Sequence, residues 1–558
     1  MSGFSRRFFL EWPLILFALS VQLTGPAVAT QRIVVDVGST KGQAGDPIAS
    51  GFRAQWANTT PRGLLFPLKP NDVGGPWFWP CEDSVWVWAA ATGAKVHVGM
   101  GSTIPRVVDP PAIEEPGDEK EIQKMWMHDD STKVELMAAW TNHVRRMVNV
   151  GEYLRNRTTP RVQVIYEIWN EPDLAGSWNP KTNPNPEIAN ADPVELFMEV
   201  WEAGCETIRS IVPLAVISGP TLSYNVLGAD STVGDWSGVR MSRFLTYCDS
   251  ANCMPTILGW HDIGNWDYAD PDLANEPHAN SPGETTDLKW NLQAQVDYAY
   301  RLLRNNTPEH LQLNQSRIPL QFEVNEAMTR PQDVTSGIMV REFALAERAK
   351  QLGLVNVGRT LWCDPCIGQD DNACLAADPN SITLTVTTHL CNLVWPCCDD
   401  SFCNFGDLMS QKPDVYAACR VGDLLWNKRY AWWTQKAYAD LEGTFVEVTP
   451  TTACDALAAM TSNSLRVLIG KFAGTSQEDV QVVLKNLQAP LVNGAVQVSV
   501  NRMLGDDANL YAAPDSLVPV FVRDKRELVN GDSCVIVIPG GDFGVGDALS
   551  IVVTPISP

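Results

Sequence analysis

The chain has 558 residues, of which 45% are hydrophobic and 19% are charged. A chain of this length is too long for one small core, so we expect two or more domains. The composition is typical of folded proteins and excludes a disordered chain. The formal net charge of −23 repels phosphate backbones and anionic lipid, which argues against nucleic acid as a partner.

The N-terminal segment 1–29 has the pattern of an export signal. Arg6 and Arg7 supply positive charge, residues 12–23 are apolar, and Ala-Val-Ala at 27–29 resembles a cleavage site. The apolar run is shorter than the roughly 20 residues that span a bilayer, although an uncleaved anchor is the alternative. We therefore predict a secreted or lumenal protein with no membrane span after signal removal.

The cysteines agree with an oxidising compartment. There are 14 in the chain, and seven of them lie between Cys363 and Cys403. Cys363 and Cys366 form a Cys-X-X-Cys pair, but no second pair with zinc spacing follows, so we predict disulfide bonds and no metal site. Asn-X-Ser/Thr sequons that fit a secreted glycoprotein occur at Asn58, Asn156, Asn305 and Asn314.

Strand-like and helix-like runs alternate between residues 49 and 440. The predicted strands are Gly51–Trp56, Lys95–Met100, Gln163–Trp169, Ala215–Gly219, Ile257–Ile263, Leu320–Asn325 and Val355–Trp362. The predicted amphipathic helices are Lys133–Arg155, Val194–Ile211, Leu288–Arg304 and Ile338–Leu352. Because no Gly-rich phosphate loop follows the first strand, this α/β alternation favours a (β/α)8 TIM barrel over a dinucleotide-binding sheet. The third of the eight strands is not apparent in the acidic, proline-rich region 102–132.

The pattern changes after residue 440. Short strands separated by Gly, Asn, Asp and Pro predict a C-terminal all-β sandwich at 441–558. The N-terminal run 30–48 is predicted to add a strand to that sandwich. Residues 363–427, which hold the cysteine cluster, are predicted to form a long insertion after the last barrel strand, at the catalytic mouth.

The most informative stretch is VIYEIWNEPD at 164–173. An apolar and aromatic run leads to Glu171 and stops at Pro172, which places a carboxylate at the carboxyl end of a predicted barrel strand, where barrel enzymes carry catalytic residues. Asn-Glu-Pro by itself is weak evidence, because the polar loop at 275–277 repeats it without a strand in front. With the strand and Trp169 before it, Glu171 is interpreted as catalytic.

Trp169-Asn170-Glu171-Pro172 at the end of a strand resembles the acid/base segment of retaining glycoside hydrolases with a (β/α)8 barrel. In those enzymes an acid protonates the departing glycosidic oxygen, and a second carboxylate about 5–5.5 Å away attacks the anomeric carbon. The segment IPLQFEVNEAMT at 318–329 offers Glu323 and Glu326. By alternation, Glu323 faces the barrel with Gln321, whereas Glu326 has the opposite parity. A bulge or strand end before residue 326 would re-aim its side chain, so alternation leaves both candidates open.

These motifs resemble glycoside hydrolase family 39, the β-xylosidases and α-L-iduronidases, over roughly residues 32–558. YEIWNEPD is similar to the acid/base segment, VISGP and ILGWHDI resemble the fifth and sixth strands, and NEA at 325–327 resembles the nucleophile segment of the iduronidase branch. The resemblance implies a retaining mechanism, with Glu171 as general acid/base and Glu326, in preference to Glu323, as nucleophile.

The same resemblance implies the substrate-binding residues. Asn170 corresponds to the residue that binds the sugar 2-hydroxyl, His261 to a sugar-binding or nucleophile-supporting histidine, and Trp362 to an aromatic sugar platform. Two features depart from the iduronidase branch: Ile263 replaces a lysine, and His97 is out of register with that branch's basic segment. Without those cations a uronic acid lacks charge-assisted partners, which favours a neutral pyranoside such as a β-xyloside.

The sequence therefore predicts a secreted retaining glycosidase that acts on a carbohydrate substrate by double displacement. This chemistry requires neither a metal nor an organic cofactor. The alternatives are a non-catalytic carbohydrate-binding or cell-surface protein on the same barrel, and a uronide-specific glycosidase. Transglycosylation uses the same intermediate, and the sequence does not distinguish it from hydrolysis.

Overall fold

A computed structural model of the chain describes residues 30–44, 48–49, 51–54, 57–60, 90, 95–100, 122–173, 177–222, 241–263, 292–304, 311–314, 316–319, 321–328, 335–359, 409–411, 426–428, 430–475, 477–492, 496–505, 519–525 and 532–556. The predicted export signal, Trp362 and most of the predicted insertion at 363–427 lie outside these residues. The first described element is strand β1 (Thr30–Ala44).

Eight strands form a curled sheet that closes on itself. In chain order they are β2 (Gly51–Ala54), β3 (Ala57–Thr60), β4 (Lys95–Gly99), β5 (Gln163–Glu167), β6 (Val216–Leu222), β7 (Ile257–Ile263), β8 (Gln321–Met328) and β9 (Leu354–Arg359). Each neighbouring pair from β4 to β9 is parallel, and β9 pairs in parallel with β2. The carboxyl ends of these strands therefore meet at one rim.

The sheet differs from the predicted regular (β/α)8 barrel in the place and direction of one strand. Each predicted strand has an observed counterpart, but the eighth member of the ring is β3, which runs antiparallel to both β2 and β4. Strand β4 itself pairs directly with β5, from Lys95 opposite Gln163 to Gly99 opposite Glu167. Strands of a hairpin need no crossover helix, so the ring closes as a mixed sheet and not as an all-parallel one.

The described helices cover the connections between the strands. They are α1 (Ile122–His128), α2 (Lys133–Arg157), α3 (Pro186–Ala189), α4 (Pro193–Ile211), α5 (Met241–Ala251), α6 (Leu292–Leu303), α7 (Ser336–Ala349) and α8 (Tyr430–Ala439). Helix α4 shows why they begin where they do: Asp192 accepts from the backbone N–H of Val194 and Glu195, and Pro193 occupies the first turn. None of the helices in these ranges is long and apolar enough to cross a bilayer.

A second sheet contains nine strands, most of them C-terminal. Besides β1, its members are β12 (Gly443–Thr449), β13 (Cys454–Met460), β14 (Leu465–Lys471), β15 (Asp479–Lys485), β16 (Val496–Met503), β17 (Pro519–Lys525), β18 (Cys534–Ile538) and β19 (Ala548–Pro555). Their order is β17-β16-β19-β14-β13-β12-β1-β15-β18, so hydrogen bonds join them into one sheet where two facing sheets were predicted. Strand β1 lies between β12 and β15. A separate pair consists of β10 (Met409–Gln411) and β11 (Trp426–Lys428).

The described cysteines do not support the predicted disulfide bonds. Cys205, Cys248, Cys253 and Cys454 are buried free thiols, and Cys534 is buried as well. All five lie in packed helices or strands or close to their ends, where a cysteine behaves as a small apolar side chain. The predicted cluster between 363 and 403 lies outside the described residues.

Helix α7 joins the two sheets through a close backbone approach. A Cβ atom at Gly470 on β14 would overlap the carbonyl oxygen of Gly337 on α7. The Arg348 guanidinium, on the same helix, donates from Nη1 to Asp455 Oδ1 on β13 at 3.0 Å. The absence of side chains at both glycines therefore sets how closely the helix packs against the second sheet.

We expect Gly470→Ala to lower the free energy of unfolding by about 1–3 kcal/mol, because the added methyl group overpacks this contact. Thermal or denaturant unfolding would measure the loss. Gly541→Ala is the matched control, since nothing lies within 4 Å of a Cβ atom there. Equal stability of the two variants would contradict the close approach.

Candidate active site

The predicted catalytic segment leaves β5 in an unusual backbone conformation. Trp169 is fully buried, with its ring 5.2 Å from those of Trp140 and Trp178. Two residues later, Glu171 has a φ angle of 51°, in the left-handed region. Non-glycine residues in this region are uncommon and concentrate at functional sites, where the surrounding structure holds them. The buried tryptophan thus anchors the turn, and the turn redirects the chain at Glu171.

Glu171 contacts the end of another strand of the ring. Its Oε1 lies 3.0 Å from Nδ1 of His261 on β7. The His261 side chain is fully buried, while 14% of the Glu171 side chain is exposed. Part of the Glu171 side chain is therefore accessible, and a buried imidazole supports its carboxyl group. The hydrogen bond can form in two ways: His261 Nδ1–H donates to the Glu171 carboxylate, or the Glu171 carboxylic acid donates to an unprotonated Nδ1.

Strand β8 carries an irregularity next to this pair. Glu323 pairs with Gly259 and Val324 with Trp260, but His261 pairs with Glu326. The extra residue on β8 is a β-bulge, which shifts the two-residue alternation of the strand by one. The backbone of Glu326 therefore takes the register position beside His261, as Glu323 takes the one beside Gly259.

A polar layer lies further down the ring, around Glu323. The Ser218 hydroxyl on β6 donates to Glu323 Oε1, and Asn356 Nδ2 on β9 donates to Oε2 at 3.4 Å. His97 Nε2 on β4 is 3.5 Å from Oε2. Glu323 is completely buried, and this burial raises its pKa to about 7 despite the hydrogen bonds from Ser218 and Asn356, which lower it.

Glycine 259 makes space for this layer. A Cβ atom at Gly259 would lie 2.6 Å from Ser218 Oγ and 3.3 Å from Glu323 Oε1. A larger residue at this position would displace the hydroxyl from the carboxyl group. The Glu323 side chain is therefore an internal element of the ring, held by three other strands.

The pKa of Glu323 predicts a pH dependence of stability. Folding raises this pKa from 4.5 to about 7, so the folded state retains a proton that the unfolded state loses. The resulting stabilisation is complete below pH 4.5 and disappears as the pH rises through about 7; it amounts to about 3 kcal/mol. We expect the difference in unfolding free energy between wild type and Glu323→Gln to change by up to that amount between pH 5 and 8, measured by denaturant unfolding. A pH-independent difference would contradict the buried titration.

The structure brings together some of the predicted site residues. Glu171 and His261 are in contact, Asn170 is half-buried just before Glu171, and Glu326 is opposite His261 in register. Trp362 lies outside the described residues. Within the described ranges, no group of three or more His, Cys, Asp and Glu side chains is arranged to hold a metal ion.

Several polar residues near the candidate site were not among the predicted ones. Ser218, His97 and Asn356 surround Glu323, and Thr221 contacts the predicted catalytic segment. For His97 and Asn356 a signal was present, since each is a polar residue inside an otherwise apolar strand. Thr221 carried no such signal, because its role depends on a backbone contact between two strands.

The described fold is similar to that of N2152 from Neocallimastix frontalis, with a TM-score of 0.56 and 16% identity over 94% of this chain and 100% of that chain. Weaker similarities include a GH39 enzyme from Xanthomonas axonopodis pv. citri, with a TM-score of 0.49 and 12% identity over 95% and 98% of the two chains. A family 44 xyloglucanase from Paenibacillus polymyxa has a TM-score of 0.48 and 11% identity over 95% and 100%. The similarity to N2152 shows a shared fold. No family model and no curated protein matches the sequence.

Proposed function

We propose that this chain is a retaining glycoside hydrolase of the family 39 type, built on a variant of the (β/α)8 barrel. The observation that carries the proposal is the contact between Glu171 and the buried His261, beside which the bulge of β8 brings the backbone of Glu326. Double displacement requires two carboxyl groups on either side of the glycosidic bond, and Glu171 and Glu326 are the pair we propose for these roles.

The first step forms a glycosyl-enzyme ester. The Glu326 carboxylate attacks the anomeric carbon while the Glu171 carboxylic acid protonates the glycosidic oxygen; the carbon–oxygen bond to the aglycone breaks and an alcohol leaves. In the second step the Glu171 carboxylate takes a proton from water as that water attacks the anomeric carbon, and Glu326 is released. Two inversions at one carbon retain its configuration.

The neighbouring residues orient these groups. His261 holds one oxygen of the Glu171 carboxyl group. We assign Asn170 to the sugar 2-hydroxyl and Trp362 to a sugar platform, as the family resemblance implies. The last residue of β7 is Ile263, where the iduronidase branch carries a lysine, which supports a neutral pyranoside such as a β-xyloside over a uronide. We also retain secretion as a proposal, on the basis of the N-terminal export pattern.

The test is covalent trapping with a panel of activated 2-deoxy-2-fluoro glycosides, starting with the xyloside. The fluorine slows both steps, and an activated leaving group restores the first, so the ester accumulates and peptide mapping locates it. An adduct on the peptide that contains Glu326 is expected. Glycan binding without an adduct and without hydrolysis would instead support a non-catalytic carbohydrate-binding protein.

A further inference from the structure

Thr221, at the carboxyl end of β6, contacts the catalytic segment at two points. Its hydroxyl donates to the carbonyl oxygen of Trp169, and its own carbonyl oxygen accepts from the backbone N–H of Glu171 at 3.0 Å. These two hydrogen bonds bracket Asn170. Thr221 is fully buried and, like Glu171, has a left-handed backbone, with a φ angle of 59°.

We propose that Thr221 is a positioning residue that holds Asn170 and Glu171 in the orientation used for acid/base catalysis. This inference rests on the proposed glycosidase function. The Thr221 hydroxyl and carbonyl connect β6 to the two peptide units on either side of Asn170, so these units cannot rotate independently. A left-handed glutamate is unfavourable in isolation and persists only where such contacts hold it.

The position of Thr221 depends on the polar layer around Glu323. Ser218, three residues earlier on β6, is bonded to Glu323, and Gly259 leaves the space for that bond. The contacts of the polar layer thus hold β6 in place within the ring. The two hydrogen bonds of Thr221 in turn hold the backbone of Glu171 relative to β6. On the far side, His261 contacts the Glu171 side chain, so the residue is held through its backbone by β6 and through its carboxyl group by β7.

Removal of the Thr221 hydroxyl would leave the Trp169 carbonyl without this donor in a buried environment. Reorientation of the Trp169–Glu171 segment would relieve the loss and move the Glu171 carboxyl group relative to His261 and the glycosidic oxygen. A displacement of about 1 Å lowers a rate by roughly 100-fold when a catalytic group depends on alignment. The loss should fall on reactions that need proton donation.

The test compares wild type, Thr221→Val and Thr221→Ser on two glycosides of one sugar. An alkyl glycoside needs protonation of its leaving group, whereas a 2,4-dinitrophenyl glycoside does not. We expect Thr221→Val to lower kcat/KM for the alkyl glycoside by about 10- to 100-fold and that for the dinitrophenyl glycoside by a smaller factor, because displacement of Asn170 affects both glycosides whereas loss of proton donation affects only the alkyl one. Thr221→Ser retains the hydroxyl and should restore the alkyl rate. If the valine variant does not fold, Thr221→Ala removes the same hydroxyl with a smaller side chain.

An equal loss on both glycosides, or no loss on either, would overturn the positioning role. A second readout does not depend on activity: the ¹⁵N chemical shift of His261 Nδ1 reports the hydrogen bond to Glu171. This shift should change in Thr221→Val and remain unchanged in Thr221→Ser. If wild type hydrolyses no glycoside, the proposed function fails, and the His261 shift still decides whether Thr221 holds Glu171. An unchanged shift in the valine variant would overturn that contact.

Discussion

Glu171→Gln is expected to lower kcat/KM for an alkyl glycoside by about 10²–10⁴-fold, the range that positioned proton transfer contributes. Glutamine keeps the shape of the side chain and a hydrogen bond to His261, but it cannot donate a proton to the glycosidic oxygen. The effect should be much smaller for a 2,4-dinitrophenyl glycoside in the first step, because its leaving group departs without protonation. Initial rates on both substrates measure the difference.

A companion variant tests the second role of the same residue. In Glu171→Ala, azide should accelerate turnover of the dinitrophenyl glycoside and yield a glycosyl azide of retained configuration, because azide attacks without a general base. Glu195→Gln, on the exposed start of α4, is the control and should behave as wild type. Full activity of Glu171→Gln on the alkyl glycoside would eliminate Glu171 as the acid.

Glu326→Gln is expected to have the largest effect of all, a loss of at least about 10⁴-fold on every glycoside, including those with good leaving groups. Removal of a nucleophile eliminates the covalent intermediate itself and leaves only the contributions of binding and electrostatics. The fluoroglycoside adduct should disappear with it. Initial rates and intact mass after incubation with the fluoroglycoside provide the two measurements.

Glu323→Gln is the matched comparison, since the two glutamates lie three positions apart on the same strand. We expect this variant to retain the adduct, because Glu323 is completely buried and bonded to Ser218 and Asn356. Its activity should fall less than that of Glu326→Gln. An adduct on Glu323, with Glu326→Gln still active, would preserve the enzyme class and reverse the assignment of the two residues.

The pH dependence of the variants at Glu171 and Glu323 further distinguishes the roles of these two carboxyl groups. The pKa of Glu323 is raised to about 7 by burial, so its ionisation occurs near neutral pH and acts on folding stability. Glu171 is partly exposed, and its proposed role is to act on the substrate. Glu171→Gln should therefore change the pH dependence of kcat/KM, whereas Glu323→Gln should mainly change the pH dependence of the free energy of unfolding.

The sequence by itself determined those features that depend on local pattern. Apolar runs of strand length and amphipathic runs of helical length were sufficient to locate β4 to β9 and the helices α2, α4, α6 and α7. The stretch before Glu171 showed that a strand leads to a carboxylate, since strand and turn residues are adjacent in the chain. Alternation along β8 also predicted correctly that Glu323 faces the interior of the ring.

Only the tertiary structure decided the features that depend on contacts between distant strands. Strand β3 follows β2 in a hairpin and therefore pairs antiparallel with its neighbours, whereas the sequence predicted a crossover and a parallel strand. The bulge that brings the backbone of Glu326 beside His261 exists only relative to the register of β7. Thr221 likewise acquires its role through backbone groups, which every residue carries and which no sequence pattern marks. Register and hydrogen bonding are relations between strands, and only folding brings those strands together.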